Sequence, residues 1–530
     1  MKHGRPTHLT GSSILLFLAF AAFAGCGDDG GEQAAEAGRG LTGVVVAVGK
    51  SPTTLDPVKI IDVDSLAVAL AVHAPLAVVD PKGLILPVLA QSIDLQDDAM
   101  SVRISLREAA CWDGSALTAD DVVSSFERFR GSGHPHRWIL DSIMGVDEFD
   151  AKETDHIDGI RPLDPRTVEI DFKYPDADFV KFISSSALLI TKSGSPDVSL
   201  VYDTQVVGCG PYMPDRIDPG SQIELRRNNG FPIPSALHSL TFQIIANPQQ
   251  RMRKLELGDV HLLRLQGPML DEALELEDGA RLMPRKELAT TAIVQSEANE
   301  MSFLKVNWSS SAFNQMPVSE RKLWVDTFSE TLDRTTLLEN LYLGQGQPAF
   351  GVVPPSLVNA SRSTSSSATN DVRTLRLICP NDPESRRLGQ YVKSRAEAKG
   401  IKIQLEFADL NRLVGRVLSG DYDMALLWVE NQIPAGVAGW LAFFSEENPL
   451  SALGEPVPNV GQRVHETRKL ANGSGRDQAY SELVRDIGLT QTSWIPIVSR
   501  NTVYLVDDRL EGVFLDANGL LYFAFLSSRP

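Results

Sequence analysis

An α/β fold with mixed sheets flanked by helices is predicted, and three stretches carry that prediction. Between Thr374 and Val429, strand-like apolar runs alternate with two helical patterns. That order builds a parallel sheet with right-handed crossovers. Gly43 to Val48 (GVVVAV) is a continuous apolar run, the pattern of a strand buried on both faces. Val102 to Gly131 reads as strand, turn and helix in succession, with alternation at Val102, Ile104 and Leu106 and a turn at Asp113-Gly114. There Thr118 and Asp121 form an acidic capping box, Val122, Phe126 and Phe129 recur at helical spacing, and Gly131 is expected as the left-handed cap.

The remaining elements follow in order. Lys2 and Arg5 precede an apolar run, Ile14 to Ala24, which is shorter than the ~20 residues that span a bilayer. It ends in Phe23-Ala24-Gly25-Cys26, which resembles a bacterial lipobox, so Cys26 is expected to carry lipid at the mature N-terminus. Residues 26–41 are small and polar, a flexible tether. After the first strand come the loop SPTTLDP, a helix over Asp62 to Val72 and a turn at Asp80 to Gly83. Strands are expected at Arg166 to Phe172, Gly220 to Arg227, Leu240 to Ile245 and Met301 to Asn307. Helices are expected at Gln249 to Leu257, Ser319 to Arg334 and Asp477 to Leu489, with a low-complexity loop at Ala360 to Asn370.

The formal charge is −18, and loss of Lys2 and Arg5 with the leader makes it more negative by two. Such a chain is a poor partner for nucleic acid, whose phosphates select Lys and Arg. About 490 remaining residues suffice for two or three domains with substantial cores. After Cys26, three cysteines remain (Cys111, Cys209 and Cys379); they lack metal-ligand spacing and allow at most one internal disulfide.

Six segments in order resemble extracellular solute-binding proteins of family 5, the peptide and nickel receptors of ABC importers. They are SPTTLDP, Asp80 to Ala90, DGSALTADDVVSSFERF, Gly208 to Asn228, Leu332 to Pro355 and Gly420 to Trp428. The resemblance implies a two-lobed clamshell of periplasmic-binding-protein type with three subdomains. Residues 42–64, 199–298 and 499–530 would form the core of one lobe, 65–198 an inserted subdomain, and 299–498 the second lobe. The chain would cross between lobes near Ala298 and Ser499. A peptide or other small organic solute would be caught between the lobes and delivered to ABC permease subunits. The protein would be a monomer, lipid-anchored outside the cytoplasm, and would need no cofactor or metal. A receptor that binds solute and signals without transport is the alternative.

In peptide-binding members, an aspartate after the strand matching Tyr422–Val429 pairs with the peptide's α-amino group. Its match here is Asn431, whose amide cannot neutralise a buried ammonium. The ligand-contact candidates are Trp428, Asn431, Gln432, Trp138, Thr53 and Leu55, with Glu430 adjacent but directed elsewhere by strand alternation. Trp112, Trp440, Phe443 and Phe444 read as packing residues, and His134 with His136 as a solvated loop. The Ser319-x-x-Lys322 motif matches one element of penicillin-binding enzymes, but Ser319 is explained as a helix N-cap and the companion motifs are absent. Asp120-Asp121 reads as an exposed first helical turn. No enzyme is expected.

Overall fold

The computed structural model describes residues 40–60, 62–134, 136–196, 205–277, 281–288, 290–297, 300–358, 374–431, 433–444, 459–470 and 473–529. Cys26, the tether up to residue 39, the Ala360 to Asn370 loop, Ala298 and Gln432 lie outside them.

A six-stranded sheet runs in the order Gly346–Pro348, Trp494–Arg500, Glu300–Val306, Met424–Glu430, Thr374–Pro380, Lys402–Ala408. Thr374–Pro380 pairs in parallel with both Lys402–Ala408 and Met424–Glu430, so the predicted βαβαβ unit is present. Its first helix, Pro383–Glu397, starts where the Asp382 carboxylate accepts from Ser385 N at 2.9 Å, and it buries Leu388, Val392 and Ala396. Its second, Leu410–Ser419, buries only Leu413 and Val417, while Leu410 and Leu418 stay exposed. The expected apolar face is wider than the small core of Ile378, Ala408, Tyr422 and Ala425 beneath it.

A seven-stranded sheet has Gly43–Val48 in its interior, parallel to Ser239–Ile244 on one side and Leu262–Leu265 on the other. Alternation sends Val44, Val46 and Val48 into one apolar cluster and Ala47 into another, which explains the unbroken apolar run. The chain passes from Thr291–Gln295 in this sheet to Glu300–Val306 in the other. It returns through Asn501 and Thr502 to Val503–Asp507, so Ser499 and Arg500 still belong to the six-stranded sheet.

A four-stranded antiparallel sheet joins Ala90–Leu95, Ser101–Leu106, Thr167–Asp171 and Ile160–Asp164. Helix Ala119–Gly131 belongs to the same core, burying Val122, Phe126 and Phe129. Asp121 Oδ2 accepts from Thr118 N at 2.8 Å, completing the box. Two expectations change here. Gly131 remains helical and Gly133 takes the left-handed turn (φ +73°). Asp121 is buried rather than exposed, because Lys192 lies 3.0 Å from its carboxylate and Ser193 N donates to it.

Cys111 and Cys209 form a disulfide across a sequence separation of 98, and Cys379 is buried and free. Closing a loop of that size constrains the unfolded chain by about 5 kcal/mol in a chain-entropy account and needs an oxidising compartment. Gly210 is required beside it: a Cβ there would lie 2.5 Å from the Val72 carbonyl carbon. The helix expected from Ser319 to Arg334 is Val318–Thr331, and a second helix, Arg334–Tyr342, follows it. Asp333 caps the second by accepting from Thr336 N at 3.2 Å, and the Arg334 guanidinium turns back onto Ser329 O and Pro496 O. Pro317 stands at the N-cap, so Ser319 is an exposed residue inside the first turn and Lys322 is paired with Asp326.

Candidate functional site

Three neighbouring strands of the six-stranded sheet end side by side in charged residues, because register places Glu300 opposite both Glu430 and Arg500. Two carboxylates so close would repel, and buried charges are stable only when paired. Arg500 forks between Glu300 and a helix: Nη2 donates to Glu300 Oε1 at 2.7 Å and Nη1 to Glu384 Oε1 at 2.5 Å. Arg264 arrives from Leu262–Leu265 of the other large sheet and donates to Glu430 Oε1 at 3.0 Å, with Glu300 Oε2 at 3.4 Å. Arg264 thus bridges the two sheets, through Glu430 and at longer range Glu300, at the carboxyl end of Met424–Glu430. Ligands of open α/β sheets bind at such strand ends.

The charges do not balance within the cluster, where three carboxyls face two guanidiniums. Burial pushes Glu430 and Glu384 above the usual carboxylate range, with Arg264 and Arg500 respectively offsetting part of the shift. Burial acts on Glu300 as well, but Arg500 and Arg264 outweigh it and hold this carboxyl below its ordinary value. Trp428 lies two residues before Glu430 and shares its face of the strand. Its ring lies under the Arg500 guanidinium at 4.6 Å, and its Nε1 donates to Ser385 Oγ at 3.1 Å.

Beside Arg264 is a cavity of about 40 Å³ lined by Val48, Asp64, Tyr504 and Leu520 among others. It has room for two or three waters, not for a peptide. Burial raises the Asp64 carboxyl despite the hydrogen bond from Lys50 N.

The other candidates are dispersed. Asn431 is buried, and its amide closes its own loop by accepting from Ile433 N at 3.0 Å and donating to Ile433 O at 2.8 Å. That loop needs Gly439, whose Cβ would lie 2.9 Å from the Asn431 amide nitrogen. Thr53 Oγ1 donates to Asp62 Oδ2 at 2.9 Å at the start of helix Val63–Val72. Leu55 is 1% exposed within the apolar core, and its carbonyl accepts from His73 Nε2. Trp138 packs edge-on against Phe182 at 5.2 Å. Trp440 and Phe444 are core residues, and Trp112 packs beside His73. His134 is not solvated as expected: it is buried with its ring 4.9 Å from that of Phe129, and burial lowers its pKa to about 4. No group of three or more potential metal ligands is assembled among the described residues.

Arg264, Glu300, Glu384 and Arg500 were not among the sequence candidates. For the strand residues among them the signal is a charge inside or ending an apolar strand, as in LLRL and WIPIVSR; Glu384, in the first turn of a helix, carries no such signal.

Residues 85–449 match the family described as bacterial extracellular solute-binding proteins, family 5 middle. The glutathione-binding protein GsiB of Shigella dysenteriae is 23% identical over 502 residues, covering 89% of this chain and 92% of that protein. Two of the solved structures that share the fold illustrate it. One is Haemophilus influenzae OppA in complex with RPPGFSPFR, with a TM-score of 0.76, 18% identity and coverage of 92% and 99% of the two chains. The other is the Escherichia coli murein tripeptide binding protein MppA, with a TM-score of 0.77, 15% identity and coverage of 92% and 98%.

Proposed function

Since this chain belongs to the bacterial extracellular solute-binding proteins of family 5, we propose that it captures a peptide or another small organic solute between its two lobes and hands it to an ABC import permease. It is a solute-binding protein and not an enzyme, and its fold is the two-lobed clamshell of periplasmic binding proteins. The observation that carries the reading is the Arg264–Glu430 ion pair, which joins the two large sheets at a strand end. Only contacts that differ between open and closed lobes can drive closure, and a group reaching both sheets supplies them. Cargo entering here displaces the pair, leaving Glu430 for a donor-bearing group and Arg264 for an acceptor. Trp428 holds Arg500 in place beneath, and Asn431 shapes the loop above. The glutathione- and peptide-binding relatives favour a cargo of that size and polarity. Mass spectrometry of purified protein, native and then denatured, tests the reading. We expect stoichiometric release of an unmodified small solute; a chemically altered product would contradict it.

Residues 1–25 are proposed as a lipoprotein leader, Cys26 as the lipid attachment site and residues 26–41 as the tether. No helix among the described residues is long and apolar enough to cross a membrane. Replacing Cys26 by serine is expected to move the protein from the membrane fraction to the soluble extracytoplasmic fraction. Retention in the membrane fraction would refute the anchor.

A further inference from the structure

A second charged contact lies away from the Arg264–Glu430 junction. The segment that follows strand Thr167–Asp171 meets helices Val460–Arg468 and Ser474–Thr490, which precede the six-stranded sheet's Trp494–Arg500. Asp176 is 0% and Arg468 2% exposed, and they form an ion pair. The Arg468 guanidinium also lies 4.4 Å from the Phe182 ring and 5.6 Å from that of Trp138. Around it, Tyr174 Oη lies 3.0 Å from His465 Nδ1, Tyr480 Oη donates to Asp178 Oδ2 at 3.2 Å, and Arg476 Nη2 lies 3.3 Å from Asp178 Oδ1.

We propose that this contact is a clasp: a separable interface between the inserted subdomain and the second lobe that sets the balance between open and closed forms. Its chemistry carries the inference. Apolar residues of both halves, Phe182 with Val460 and Val464 among them, share one buried cluster here, and within it each polar partner is drawn from the opposite half. When the halves part, Asp176 and Arg468 are each hydrated; when they close, each satisfies the other. Such a pair contributes little net stability but penalises closure severely if one partner is missing. It therefore fixes register and makes closure sensitive to single substitutions. Trp138 belongs to this clasp rather than to cargo recognition.

The test uses the full chain with spin labels on Glu153→Cys and Lys399→Cys, both at exposed positions, and needs no knowledge of the cargo. Cargo-free Arg468→Met is expected to shift the interlabel distance distribution to longer values and to weaken cargo binding at least 10-fold. Asp176→Asn combined with Arg468→Met leaves no unpaired charge and is expected to recover both to within about threefold. Three results overturn the clasp: one unchanged distance in all three proteins; a double variant that stays as open as the single one; or a single variant that unfolds while the double variant folds with the wild-type distance, which would place the pair in a permanent core. The inference rests on the two-lobe reading only for the mobility of the halves. A protein that carries cargo yet shows unchanged distances refutes the clasp alone.

Discussion

Arg500→Met is expected to lower the thermal midpoint sharply, with a loss of about 3–5 kcal/mol, because it strands two buried carboxylates at once. Glu384 loses its only ion-pair partner among the described residues, and Glu300 retains only the longer contact to Arg264. Trp428 loses the cation over its ring. The deficit has a pH signature. Burial already holds Glu384 above the usual carboxylate range, and without Arg500 it takes up a proton at still higher pH. Protonation removes the stranded charge, so the gap between variant and wild type narrows as pH falls from 7 towards 5. Arg500→Lys keeps the charge but not the fork, and is expected to fall between the two. Calorimetric scans at both pH values measure this. A variant equal to wild type at pH 7 would show that the cluster is not held by Arg500.

Lys305→Met is expected to act in the opposite direction. Lys305 is fully buried in strand Glu300–Val306; its Nζ has no hydrogen-bond partner among the described residues and lies 4.0 Å over the Trp494 ring. Burial lowers its pKa to about 7 from an ordinary 10.5. The unfolded chain therefore binds the proton more tightly between these values, and wild-type stability rises with pH from about 7 to 10.5. Below that window the folded protein carries an unsatisfied buried charge in full. Methionine fills similar volume without it, so the variant is expected to be more stable by ~1–4 kcal/mol at pH 6–7. The gain should shrink towards pH 10. A variant less stable than wild type at pH 6 would mean that the ammonium is an asset to the fold.

Lys305 also shows where sequence reading reaches its limit. MSFLKVN reads correctly as a strand, but period-2 alternation does not reveal that both faces are covered. The βαβαβ unit was legible because caps at Asp382 and Asp409 and glycines at 400 and 420 punctuate it locally. The break at Leu332 has a local signal that reading the stretch as one helix passes over, the Asp333 N-cap accepting from Thr336 N, whereas the long-range bond from Arg334 to Pro496, 162 residues away, was not legible. The junction shows the same division. Trp428 and Glu430 sit at a strand end that topology could point to, whereas their partners Arg500 and Arg264 come from other strands, one of them in the other large sheet. Position alone makes Asn431 a ligand-contact candidate, and the local turn that its amide closes on Ile433 was not legible.

Hydrogen–deuterium exchange on addition of the solute identified by mass spectrometry is the most direct test of capture between the lobes. Protection is expected together at Leu262–Leu265 and Val503–Asp507 in one sheet and at the Met424–Glu430 strand end in the other. Protection confined to a single sheet would contradict the account.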